Sequence, residues 1–175
     1  MIWVTRDYVH IDRVASPWLI KRFVDKRAQF VFLPRDEIPD FVANTGAISF
    51  DTAGAELDHH ICNGEKHCTF DAIVEKYELE SDDALQKVRK LVRAADTGGI
   101  NEEPLAWALE LVAVGAPFLV DSDHEALEKE FPVYDAVYTY FKQQIIREKY
   151  KNEIEKIKTR PERHAFIKQK LNESQ

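Results

Sequence analysis

Two cysteines in 175 residues are too few for a disulfide framework. Cys62 and Cys68 lie six positions apart in a Gly- and His-containing stretch, a spacing that also makes a poor zinc signature, so free thiols are expected. No apolar run approaches the roughly 20 residues that span a bilayer, which argues against a membrane protein. The first residues, Met1 to Asp7, have neither the basic start nor the long apolar run of a secretory signal; the cytoplasm is the expected compartment. Internal repeats and low-complexity segments are missing. Positive charge is scarce over most of the chain. The formal net charge is −7, yet from Arg147 onward nine Lys/Arg face five Asp/Glu, so the tail carries +4 and the preceding 146 residues carry −11. Phosphate binding draws on Lys and Arg, so nucleic acid is an unfavoured partner except through the basic tail.

What is present reads as a folded protein: 45% hydrophobic residues with 31% charged, a length that suits one core. Ile2-Trp-Val-Thr reads as a strand. Ser16-Pro17 reads as a helix start, with Leu19, Ile20, Phe23 and Val24 on one face. Phe30 to Leu33 is a second strand ended by Pro34, and Ala47 to Phe50 a third ended by Asp51-Thr-Ala-Gly. Strand, helix, strand at this spacing predicts a βαβ unit. The fold class expected is α/β: a small, mostly parallel sheet in the N-terminal third with helices packed on it, then a helix-rich C-terminal half. In that half Thr69 is a candidate cap for the first helix. A second runs from Asp82 to about Asp96 with Gly98-Gly99 as its stop, and a third from Glu103 to Val114. Ser122 and Glu125 open a fourth through a capping box, with a bend expected at Pro132. The chain divides into residues 1–146 and a basic helical extension, 147–175. The extension's anchors Tyr150, Ile154 and Ile157 suit packing or homo-oligomer contacts.

Acids and imidazoles gather at the ends of these elements. His10-Ile-Asp12 follows the first strand, Asp51 follows the third, Asp58-His59-His60 comes seven residues later, and Asp96 closes a helix. Loops at the carboxyl ends of parallel strands converge on ligands. An acid at a helix C-terminus is opposed by the helix dipole, and a bound cation would relieve Asp96. His10, Asp12, Asp51, His59 and Asp96 are therefore candidate ligands for a divalent metal, and a carboxylate–imidazole set suits manganese, iron or zinc. Arg6 and Arg13, beside the first strand, are candidate contacts for a small oxyanion or phosphate-containing ligand. Each cluster also has a plainer reading as a loop hydrogen-bond pair or turn residue. Cys68 reads as a small buried hydrophobe or loop thiol.

Trp3 to Asp25, WVTRDYVHIDRVASPWLIKRFVD, closely resembles the opening of the chromate-resistance domain at the C-terminal end of ChrB proteins. The likeness continues through Phe50-Asp51, Glu56, His59, Cys68-Thr-Phe-Asp71 and Val92 to Thr97, and fades beyond Val133 to Tyr138. This resemblance implies a part in bacterial chromate resistance. Longer relatives carry a further N-terminal region and act as regulators; with the match beginning at Trp3, a sensor here is expected to signal through a partner. A more distant likeness runs to the DHH phosphoesterases, which set a His-x-Asp, an Asp after a strand, an Asp-His-His and a later Asp around two metals. It implies a metal-dependent phosphohydrolase acting on a nucleotide or short nucleic acid, with Asp58 and His60 in catalytic roles, His60 on the scissile phosphate. A non-catalytic structural or oligomerising module is the plainer alternative.

Overall fold

A computed structural model describes residues 1–173. The sheet forms from β1 (Ile2–Arg6), β2 (Gln29–Leu33) and β3 (Ile48–Ser49), all parallel, in the order β2-β1-β3. Its central strand is buried on both faces, as the middle of a covered parallel sheet should be. Trp3 turns into the main core beside Phe50 and Tyr77. Val4, one step along, turns to the other face and packs with Ile38 and Ala47. That face is covered by α2 (Ile38–Thr45), a helix the sequence pattern did not reveal.

The first crossover helix, α1 (Asp12–Leu19), begins before the expected Ser16-Pro17 start and holds Pro17 inside it. The reason is local. Backbone N–H groups of Arg13, Val14 and Ala15 already reach the carbonyls of His10 and Ile11, and Ser16 spends its hydroxyl on Asp12, Oγ to Oδ1 3.0 Å. A π-helical turn over Ile20–Val24 completes the element.

After β3 the chain forms a two-stranded antiparallel hairpin, β4 (His60–Cys62) with β5 (Glu65–His67). Its turn is Asn63-Gly64, both at positive φ, 52° and 85°, the pair of left-handed residues that a two-residue hairpin turn requires. The stretch between the cysteines is thus a hairpin and not a loop. Helix α3 (Thr69–Lys76) follows. Cys68, not Thr69, occupies its cap position, and Asp71 accepts the Cys68 N–H at 2.9 Å.

Helix α4 (Asp83–Thr97) is capped by Asp82, which accepts from the Leu85 N–H, and ends at Gly98 with φ 87°. Ala84, Leu85, Val88, Leu91, Val92 and Ala95 turn inward. Helix α5 (Ala106–Gly115) and a 3-10 turn lead to α6 (Asp123–Lys149), whose cap Ser122 accepts from the Glu125 N–H. Helix α6 runs unbroken through Pro132 and past residue 146. Then α7 (Lys151–Lys156) and α8 (Arg160–Glu173) fold the tail back on itself, with Ile146, Ile154 and Ile167 making a small separate core beside Tyr150 and Phe166. Among the described residues no helix is long and apolar enough to cross a membrane.

Candidate metal centre

The carboxyl end of the sheet is where the acids gather. Asp51 leaves β3 with φ 46°, a left-handed conformation that Asp tolerates better than most residues. Asp12 opens α1, across the loop from β1. Its Oδ2 accepts the Thr69 N–H at 2.6 Å and its Oδ1 the Phe70 N–H at 3.0 Å, so the first turn of α3 holds this carboxylate in place. Asp96 projects from the last turn of α4.

His59, just before β4, joins the three. Its Nε2 lies 3.5 Å from Asp12 Oδ2, 3.3 Å from Asp51 Oδ1 and 3.3 Å from Asp96 Oδ2. Asp12 and Asp51 are almost wholly buried and Asp96 is 15% exposed, while the imidazole is 45% exposed, so His59 forms the solvent side of the pocket. Contacts to Asp12, then Asp51, push its pKa up to about 10. Burial, and then Asp12, pushes Asp96 up to about 7. Asp51 goes the other way: burial would raise it, but His59, Arg13 and Arg6 outweigh burial and hold it below the usual carboxylate range.

Arg6 and Arg13 are spent on that task. Arg6 gives Nε to the Asp51 carbonyl at 3.0 Å and an NH2 group to Oδ2 at 3.1 Å; Arg13 reaches the same Oδ2 at 3.0 Å and the Tyr8 carbonyl at 2.8 Å. Asp96 Oδ2, by contrast, is buried without a hydrogen bond of its own and meets only the His59 imidazole, at 3.3 Å. An unsatisfied buried oxygen costs about 1–3 kcal/mol, and a cation among these groups would satisfy it. The donor set of three carboxylates and an imidazole fits that role.

Of the residues singled out in the sequence, Asp12, Asp51, His59 and Asp96 come together. His10 does not join them: its Nε2 is 3.7 Å from Glu110, because the loop after β1 turns it toward α5. Asp58 accepts its neighbour's N–H, His59 N to Oδ1 2.8 Å. His60 belongs to a different group, with Glu75 and His67.

Cys68 was undervalued. It is fully buried, and its sulfur lies with Asp12 and Asp96 in a second trio of ligand atoms, all within 4.8 Å of one another. Burial, then Asp12, Asp71 and Asp96, pushes its thiol well up. Asp71, 0% exposed, binds Arg93 (Nε to Oδ2 2.9 Å) and Arg89; burial would raise its pKa, but Arg93, Arg89 and the Cys68 N–H hold it low. Asp71 and Glu75, four apart on α3, were one helical face in the sequence. The Asn63-Gly64 turn, counted outward, pairs His60 with His67.

A family model described as "ChrB, C-terminal domain" matches residues 3–141. Protein ChrB of Cupriavidus metallidurans is 32% identical over 142 residues, covering 79% of this chain and 40% of that protein. The chain therefore spans well under half the length of that relative. No solved structure matches.

Proposed function

This chain belongs to the ChrB C-terminal domain family, and from that premise we propose that it contributes to chromate resistance as a metal-binding domain. Asp12, Asp51, His59 and Asp96 hold one divalent cation, manganese, iron or zinc. A single observation carries the reading: three carboxylates from three separate elements converge within 3.5 Å of one imidazole nitrogen. Three buried carboxylates repel one another strongly in a low-dielectric site. Folding them together without a cation costs stability, and in the bare protein the His59 proton supplies part of what is needed. A metal takes over that part and also satisfies Asp96 Oδ2.

The chain's own residues also set what the loaded pocket attracts. Arg6 and Arg13 bear on Asp51. Two arginines with a divalent ion, set against three carboxylates and a neutral imidazole, leave one net positive charge. A small oxyanion such as chromate is drawn to such a pocket although the rest of the body is acidic.

Calorimetry with manganese, iron(II) and zinc on untagged protein tests the site. Asp96→Asn is the variant of choice, because its Oδ2 meets only His59 and holds no other part of the fold. Metal affinity is expected to fall by more than about 10-fold, a loss that even outer-sphere changes can produce. Unchanged binding in Asp96→Asn would overturn the site. Chromate titrated into loaded and metal-free protein tests the oxyanion step, with heat expected only in the loaded form. Metal-dependent hydrolysis of a phosphodiester is the second reading, favoured by the same four ligands and weakened by His10 lying on Glu110. Turnover of a generic phosphodiester with manganese, lost in Asp96→Asn, supports it.

A further inference from the structure

His60, His67 and Glu75 form a second group of ligand atoms, all within 4.8 Å of one another. His60 and His67 face each other across the hairpin in register, with ring centroids 5.1 Å apart. Glu75 on α3 reaches both: Oε2 is 3.1 Å from His60 Nε2, and Oε1 is 3.1 Å from His67 Nδ1. We propose that this trio is a second metal site, for a borderline divalent cation of the zinc type, distinct from the pocket around His59.

Three observations carry it. The first is donor chemistry. Two imidazoles and one carboxylate are a ligand set that zinc uses when it keeps a fourth position open, with metal–ligand distances of about 2.0–2.2 Å. Closing the present spacing onto a shared ion takes side-chain shifts on the order of 1 Å.

The second is the outer sphere. His60 Nδ1 lies 3.4 Å from the Asp58 carbonyl oxygen. A ligating histidine commonly donates its other ring N–H to a backbone carbonyl. With the Nδ1 proton placed there, the Nε2 lone pair faces a Glu75 oxygen. In that tautomer a cation between the two acceptors satisfies both, whereas in the other Nε2 donates to Glu75 directly. Arg89 binds Glu75 Oε1 and Asp71 together, which fixes the carboxylate on the trio.

The third is access. His67 is 9% exposed by side chain, but His60 and Glu75 are 34% and 36% exposed. The trio thus has a buried floor and a wet mouth, on a surface cleft that His59, His60 and Glu75 line together. An ion held there would be reached from solvent past His60 and Glu75.

None of this depends on the pocket described above, and the test separates the two. Untagged full-length protein is titrated with zinc by calorimetry, and with cobalt(II) by its visible absorption, as wild type, Asp96→Asn, Glu75→Gln and His67→Ala. Two equivalents are expected in wild type and one in each variant. The cobalt absorption that remains in Asp96→Asn is expected to vanish when Glu75→Gln is added. One equivalent in wild type, lost in Glu75→Gln and kept in Asp96→Asn, sinks the first pocket and leaves this one standing. Binding that Glu75→Gln and His67→Ala both leave unchanged overturns the proposal. Circular dichroism checks that His67→Ala keeps its fold; Glu75, at the wet edge, serves as the variant if it does not.

Discussion

His59 and His60 are neighbours in the chain and opposites in setting. His59 faces three carboxylates that are nearly all inside the protein, each drawn from a different element. His60 faces one carboxylate that is more than a third exposed, Glu75 of α3, and pairs with His67 across a hairpin only eight residues long. Both open onto one surface cleft, but one step along the backbone, at the start of β4, turns their ring nitrogens to different carboxylates. Local turn chemistry is enough to pair His60 with His67, and the next helix adds Glu75. The His59 group needs the whole fold, and its charges bear on stability accordingly.

The largest expected effect tests that contrast. Asp12 accepts from Thr69, Phe70 and Ser16 and is 1% exposed. Asp12→Ala strips the start of α3 and leaves buried donors unpaired, and should lose about 3–5 kcal/mol in urea unfolding. A loss below about 1 kcal/mol would mean that the two settings do not differ as described.

Glu130 sharpens the comparison from a third side. It is 1% exposed on α6, and neither carboxylate oxygen has a hydrogen-bond partner. Burial pushes its pKa from 4.5 to about 7. The folded protein therefore holds this proton more tightly than the unfolded chain does. Its full stability is present below pH 4.5 and is lost as the pH rises through 7. Glu130→Leu should stabilise by about 3 kcal/mol at pH 8 and by much less at pH 5. Urea unfolding at both pH values checks this, and an equal gain at each would remove burial as the cause.

Glu75→Ala should cost less than Asp12→Ala, about 1–2 kcal/mol, because it leaves the nearly buried Arg89 and His67 one acceptor short; a cost as large as that of Asp12→Ala would place both groups in one structural class. The smallest effect concerns the thiols and leaves stability untouched. Cys62 is partly exposed and Cys68 buried. An aromatic disulfide reagent should titrate one thiol in the native protein and two after denaturation.

Much of the fold could be read along the chain. Strands β1, β2 and β3 announce themselves as short apolar runs stopped by Pro34 and by Asp51-Thr-Ala-Gly, and α4 declares both ends through Asp82 and Gly98. Helix α2 was hidden because two of its eight residues are Pro39 and Gly46's neighbour Thr45, and only Ile38 is fully buried. The hairpin is legible in Asn63-Gly64, a pair whose left-handed residues close a two-residue turn. Four of the five proposed ligands met, since the ends of parallel strands gather loops. His10 missed because a loop residue's direction depends on what packs beside it, here Glu110 of α5.

By itself the sequence determined the things that depend on near neighbours: the elements, their caps, the acidic body with its basic tail, and a set of acids at element ends. Which of those acids share a pocket was decided by the tertiary structure alone. Asp12, Asp51, His59 and Asp96 are spread over more than eighty positions, and only the packing of α1, α3 and α4 against the end of the sheet brings them within a few ångströms. Burial then does what no local pattern can. It strips water from the carboxylates, raises the cost of their charge, and pushes the Asp96 carboxyl up to about 7.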